Sequence, residues 1–321
     1  MVPLRIAFSD WASGSSPTVE RIFRLLSLHR EVVRADFATA DLLIYSDFGE
    51  RHWDFKGLKV YVTGENMLPD FEQCDLAYTP VELAGDPRAV RFPYYAQVLP
   101  ELGSLIRPAN YDARPLLDRA EFACFVASNP RGPDRNRFFR ALHRRRPLVS
   151  AGRHFNTTNK PLADKMSFLR SFRFNLAFEN TSSPGYVTEK LVEPLLAGTI
   201  PIYWGAPDVG REFNPGCMIN VSNFATEAAA IEHILAVDAD PQARLALLST
   251  PPFRDNREPT CLSDDYLINP LLALLDAGIK PSARHYRHRT LREHAYASPL
   301  QQRLASLCSR LDGMLWKMGV R

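Results

Sequence analysis

The stretch Phe174–Gly205, FNLAFENTSSPGYVTEKLVEPLLAGTIPIYWG, constrains the fold more than any other part of the chain. An apolar run closes at Phe178, a polar loop follows, a helical pattern over Val187–Ala197 stops at Gly198, and a second apolar run occupies Thr199–Trp204. Strand, loop, helix, glycine stop and strand together form the repeating unit of an α/β sheet. Pro194 falls about two turns into the helix, which predicts a kink or an early break there.

The rest of the chain repeats this grammar. Leu4–Phe8 reads as a strand, and Thr18–Leu28 has helical spacing. Further strands are expected at Val32–Phe37, Leu42–Tyr45, Leu58–Thr63 and Leu76–Tyr78, with the helices between some of them hard to see. Prolines at positions 100, 108 and 115 make Leu99–Arg119 the linker candidate. Beyond it Phe122–Ala127, Phe172–Phe178, Thr199–Trp204 and Met218–Val221 read as strands, and Arg135–His143 and Glu227–Ala236 as helices. Two α/β halves of this kind fit two Rossmann-like domains facing a central cleft, with ligands gathering at the carboxyl ends of the strands.

That rule directs attention to Glu179–Tyr186, at the end of one strand, and to Val187–Lys190, on the first turn of the next helix. Unpaired N–H groups and the helix dipole favour an anion there, and Lys190 adds a full charge. Glu189 can accept hydrogen bonds from ribose hydroxyls, while Asn180 and Tyr186 can fix a base or sugar edge. The sum describes a nucleoside-diphosphate site. The plainer reading, in which Thr188 and Glu189 only cap the helix and Lys190 is solvated, stands beside it.

Composition narrows the class. The chain has 321 residues, 45% hydrophobic and 23% charged, with a net charge of +3. That is globular composition without the concentrated basic footprint of a nucleic-acid binder. Five widely spaced cysteines with no C-x-x-C pair read as free thiols. No apolar span approaches 20 residues, and the expected location is the cytoplasm, with the inner face of the membrane as an extension of it. Asp238-Ala239-Asp240 imitates a metal clamp but follows a helical stretch, so a helix-terminal turn is the better reading. Asp264-Asp265 is read as a loop pair, and His285, His288 and His294 as cationic surface. No metal ligand is assigned.

The segment also resembles the signature of the family 10 glycosyltransferases, the α-1,3/1,4-fucosyltransferases. Phe174, Asn175, Phe178, Glu179 and Asn180 are followed by Tyr186, Val187, Thr188, Glu189 and Lys190. VTGENMLPDF (Val62–Phe71), FVASNPRGPDRNRFFRAL (Phe125–Leu142) and the continuation to Phe224 extend the resemblance. It covers roughly residues 55–225 and implies the GT-B fold, with an acceptor-binding domain expected over residues 1–110 and a GDP-fucose-binding domain over 111–280; residues 281–321 read as a basic, amphipathic extension. It implies inverting transfer of L-fucose from GDP-fucose to O3 or O4 of GlcNAc in an acceptor oligosaccharide or lipopolysaccharide glycan. No cofactor is firmly implied beyond the donor substrate, and a divalent-metal requirement is left open. By the resemblance, Arg135 grips the donor diphosphate beside Lys190, and Glu65 takes the place of the general base. Glu179 competes with Glu65 but reads as a structural acid, and Arg131, Arg137 and Arg140 as a solvated helix face. Tyr203 and Trp204 read as core. A transferase for another nucleotide sugar and an inactive nucleotide-sugar scaffold are the alternatives.

Leu304, Leu307, Leu311, Met314, Leu315 and Met318 recur at helical spacing. That stripe is expected to bury against the protein itself or, with Arg303, Arg310, Lys317, Arg321 and Trp316 around it, against a membrane surface.

Overall fold

The short apolar runs all become parallel strands. The computed structural model describes residues 2–12, 16–83 and 85–278, in two units. The first comprises the described residues up to Glu101, together with Ser183–Val187 and residues 258–278; the second comprises Leu102–Ser182 and Thr188–Arg257. The C-terminal apolar stripe, the three histidines at 285, 288 and 294, and Cys308 lie outside the described residues.

The first unit runs β1 (Leu4–Ser9), α1 (Pro17–Ser27), β2 (Val32–Arg34), β3 (Leu42–Tyr45), β4 (Leu58–Val62), β5 (Leu76–Thr79), β6 (Ala89–Arg91) and α2 (Tyr94–Val98). Its sheet has the order β2-β1-β3-β4-β5-β6, parallel throughout. All four residues of β3 are buried, as a strand covered on both faces requires. Ile44 pairs with Val60 and Val60 with Leu76, so the register lays an apolar row across the strands. The expected strand over Val32–Phe37 ends at Arg34, at the edge of the sheet, where its residues are half-buried or exposed.

Between β3 and β4 the connection contains only a 3₁₀ turn, Arg51–Asp54. Asp10, at a left-handed φ of 62°, directs its carboxylate onto that turn. It accepts hydrogen bonds from the N–H groups of Arg51 and His52 and, at 2.7 Å, from His52 Nδ1. Burial pushes the Asp10 pKa up, but the His52 and Arg51 donors outweigh it and the net shift is downward.

The second unit contains β7 (Glu121–Val126), α3 (Pro133–Arg145), β8 (Val149–Ala151), α4 (Lys165–Arg170), β9 (Phe172–Phe178), α5 (Glu189–Ala197), β10 (Ile200–Trp204), β11 (Ile219–Asn220), α6 (Glu227–Ala239) and α7 (Pro241–Ser249). Its sheet, β11-β10-β9-β7-β8, is also parallel throughout. The remaining helix, α8 (Asp264–Asp276), belongs to the first unit. Aromatic rings fill the second core. Phe139 stacks on Phe155 with centroids 4.7 Å apart, and Phe138 lies 4.9 Å from Phe178. Full burial of each such ring contributes ~1.5–3 kcal/mol.

Three expectations need correction. Helix α5 begins at Glu189, not Val187, because Thr188 has extended backbone and caps it. It is not broken at Pro194: it continues to Ala197, where Gly198 at φ 66° ends it in the left-handed conformation that glycine adopts at no steric cost. Asp264 and Asp265 form the first turn of α8, capped by Ser263, where the helix dipole favours acids. The expectation for Asp238-Ala239-Asp240 holds, since Asp238 closes α6 and Asp240 caps α7. Among the described residues no helix is long and apolar enough to cross a membrane, and Cys74, Cys124, Cys217 and Cys261 are buried.

Asp238 is a buried charge with a structural purpose. Its carboxylate pairs with Arg146 and, at 2.7 Å, with Arg173, tying α6 to β9. Removing one member of a buried pair leaves the others uncompensated. Asp238→Ala is expected to lower unfolding stability by ~3 kcal/mol, measured by urea denaturation, whereas Asp240→Ala should cost only ~1 kcal/mol through its lost cap.

Candidate functional site

The end of β9 and the start of α5 are joined by one buried carboxylate. Glu179 continues the strand, its N–H donating to Trp204 O at 2.8 Å. Its side chain has no exposed surface and accepts from Thr188 N at 2.8 Å and from Thr188 Oγ1 at 2.7 Å. Lys190 Nζ lies 3.1 Å from Thr188 Oγ1, 3.2 Å from Glu189 Oε1 and 3.6 Å from Glu179 Oε2. Gly205 makes room for this packing, because a Cβ there would stand 2.4 Å from Glu179 Cγ.

The charges respond to burial and to one another. Burial raises the Glu179 carboxyl to about 7 against the opposing pull of Lys190 and Thr188. Burial acts to lower the Lys190 pKa, but the Glu179 and Glu189 carboxylates outweigh it and the net shift is upward. For Glu189 burial raises the pKa, while Lys190 and Lys165 bring it below the ordinary value.

Arg135 sits in the first turn of α3 with 1% of its surface exposed. Its guanidinium donates to Asn180 Oδ1 at 2.7 Å, Asn129 O at 2.5 Å and Arg131 O at 2.7 Å, while Nε is buried without a hydrogen-bond partner. Burial pulls its pKa down to about 10, which leaves it a cation at neutral pH. The second unit therefore brings Arg135, Asn180, Glu189 and Lys190 together with Glu179 at the ends of β7 and β9. Arg137 is instead a surface residue paired with Asp134 and Glu227. Tyr203 is buried and accepts a hydrogen bond from Ala206 N, and Trp204 stacks on Phe178 at 5.9 Å.

A feature of the second unit not anticipated from the sequence is a recess of about 710 Å³ where β7 and β8 end, lined by Val126, Ser128, Gly152, Arg153, Asn159 and Lys160 among others. Asn156 prebuilds its loop, donating to Gly152 O and Lys160 O and accepting from Thr158 N and Asn159 N. The run Gly152–Lys160 is rich in turn formers, but β8 has only three residues, so its carboxyl end was not visible as one.

Glu65 and Tyr186 belong to the first unit. Glu65 is exposed in the turn after β4; its N–H donates to Thr63 Oγ1 at 3.0 Å, and Thr63 Oγ1 donates to Asp47 Oδ2 at 2.5 Å. Tyr61 donates to the other Asp47 oxygen. Asp47 was not singled out from the sequence, because only the pairing of β3 with β4 brings it beside Thr63. Tyr186 is buried in the segment Ser183–Val187, which is anchored by Asn66 Nδ2 on Ser183 Oγ and by Arg91 on Gly185 O. Among the described residues no group of three or more His, Cys, Asp or Glu is arranged to hold a metal.

Two family descriptions match these elements: "Glycosyltransferase family 10 (fucosyltransferase) C-term" over residues 116–247 and "Alpha-(1,3)-fucosyltransferase FucT N-terminal domain" over residues 6–98. The chain belongs to the family 10 glycosyltransferases. Within the family it is similar to the alpha-(1,3)-fucosyltransferase FucT of Helicobacter pylori, 35% identical over 222 residues, which are 59% of this chain and 46% of that protein. It is 37% identical over 71 residues to alpha-(1,3)-fucosyltransferase B of Drosophila melanogaster, covering 22% of this chain and 16% of the relative. The chain thus spans less than half the length of these curated relatives. A crystal structure of an alpha1,3-fucosyltransferase with GDP-fucose superposes with a TM-score of 0.73 at 28% identity, covering 87% of this chain and 92% of the other. The fold class of this family 10 member is accordingly GT-B, with two parallel α/β sheets.

The buried carboxyl of Glu179 makes stability depend on pH. A carboxyl raised to about 7 in the folded state, from 4.5, holds its proton there up to about that pH. The stability this contributes is fully present below pH 4.5 and is lost as pH rises through 7. Scanning calorimetry should find a smaller fall in Tm between pH 6 and pH 8 in Glu179→Gln than in the wild type; equal falls would assign the titration to another group.

Proposed function

We propose that the chain moves L-fucose from GDP-fucose to a hydroxyl of an acceptor glycan, O3 or O4 of GlcNAc, with inversion at the anomeric carbon. The observation that carries this reading is the pairing of Arg135 and Lys190 at two helix N-termini above one parallel sheet, inside the family signature. The second unit takes the donor. Its diphosphate meets the first turns of α3 and α5, and the nucleoside enters the recess where β7 and β8 end. Glu189 serves the ribose, and Asn180 and Tyr186 complete the nucleotide contacts.

The chemistry follows from charge. The acceptor oxygen attacks the anomeric carbon as Glu65 takes its proton, and the bond from that carbon to the β-phosphate oxygen breaks. The departing diphosphate gains negative charge, which Arg135 and Lys190 stabilise; fixed cations or donors in comparable sites contribute ~3 kcal/mol. Glu65 suits the base role because its exposed carboxylate stands on a turn fixed by Asp47 and Thr63. The first unit takes the acceptor. An acceptor carried by a lipopolysaccharide would bring the chain to the inner face of a membrane.

Lys190→Ala should weaken GDP binding by ~10- to 100-fold and lower turnover with it, as read by titration calorimetry and GDP release; unchanged GDP affinity would remove Lys190 from the donor site. Glu65→Gln should instead keep GDP affinity within about twofold while turnover falls ~10²-fold or more. Wild-type turnover in that variant would place the base elsewhere.

A further inference from the structure

Glu179 and Arg135 are closed off from water, Lys190 and Glu189 are half-buried beside them, and the four charges balance. On α5 it faces Lys190, 3.6 Å away, and Glu189; from α3 it feels Arg135. The Tyr203 hydroxyl of β10 and Glu179 Cγ both crowd the place where a Cβ of Gly205 would be. The two cations, Arg135 and Lys190, are matched by the two carboxylates, Glu179 and Glu189. A sugar nucleotide's diphosphate adds two further negative charges. With both carboxylates ionised the filled site would bury a net negative charge, which a low-dielectric interior penalises strongly. Glu189 is poorly placed to relieve this, since its pKa lies below the ordinary value. Glu179 has no exposed surface, and Lys190 is its nearest cation.

Resting on the donor reading above, we propose that Glu179 is a positioning residue: its carboxyl holds Thr188 and the first turn of α5 beneath the diphosphate, and it takes up a proton from solvent when the diphosphate replaces it as the partner of Lys190. The exchange balances. One O–H bond forms on Glu179 as the bond holding that proton to a hydronium ion or buffer acid in solvent breaks, and Lys190 remains an ammonium throughout. The hydrogen bonds to Thr188 survive, because a protonated carboxyl still offers one oxygen to Thr188 N and can share its proton with Thr188 Oγ1. The elevated resting pKa of Glu179, about 7, puts this uptake within reach at neutral pH.

Titration calorimetry of GDP-fucose, which has no group of its own titrating between pH 5 and pH 9, tests the proposal. At pH 8, buffers of different ionisation enthalpy should report uptake of about one half to one proton per donor bound, falling toward zero at pH 5.5. The dissociation constant should rise by up to about tenfold from pH 6 to pH 8 in the wild type. Glu179→Gln copies the shape and hydrogen bonding of the protonated side chain. It should abolish both effects and bind GDP-fucose more tightly than the wild type at pH 8, a gain that a merely structural role would not produce. Buffer-independent heats in a wild type that binds GDP-fucose would overturn the proposal, and so would an unchanged pH dependence in Glu179→Gln. Should the variant not fold, the wild-type proton count alone decides. A wild type that binds no GDP-fucose would refute the donor reading instead.

Discussion

The bond pair from Thr188 to Glu179 is the constraint on which the rest of the second unit's site depends. A carboxylate without exposed surface is costly to desolvate, and it persists here because Thr188 supplies two donors and Lys190 a charge. In return, the end of β9 and the beginning of α5 cannot move independently. That coupling fixes where the free N–H groups of α5 point and where Lys190 stands.

Arg135 is secured by different means and reaches the same result. Three acceptors, two of them main-chain carbonyls of its own loop, hold its guanidinium at the first turn of α3. Asn180 accepts one of these bonds and directly follows Glu179 in the chain. The two cations are thus indexed to one strand end, although they come from helices 55 residues apart in sequence, Arg135 to Lys190. Rigid placement of this kind lets fixed charge act on a developing anion without reorganisation.

The first unit solves a parallel problem with neutral and acidic groups. Asp47 at the end of β3 collects Tyr61 and Thr63 from β4 and its following turn, and Thr63 in turn holds the N–H of Glu65. The first unit's candidate residue therefore also depends on a side chain from a neighbouring strand. In both units the functional candidates lie at the carboxyl ends of parallel strands, where the connections emerge and backbone donors are free.

The sequence by itself determined the strand runs Leu42–Tyr45 and Phe172–Phe178, the glycine stop at Gly198, the parallel α/β class and, through the signature from Phe174 to Lys190, the family. These are legible because periodicity, glycine and proline act locally. Two short elements escaped it: β6 and β8 have three residues each, Ala89–Arg91 and Val149–Ala151, without an apolar run to mark them. The helical status of Pro194 was also hidden, since packing and the Gly198 cap decide whether one lost hydrogen bond matters. Only the tertiary structure decided that Asp238 is an internal ion-pair partner, that Asp47 stands behind Glu65, and that Glu179 is sealed between Thr188, Lys190 and Gly205. The reason is the same in each case. Burial and charge environment are set by residues distant in sequence, and a carboxylate's chemistry depends on those neighbours more than on its own place in the chain.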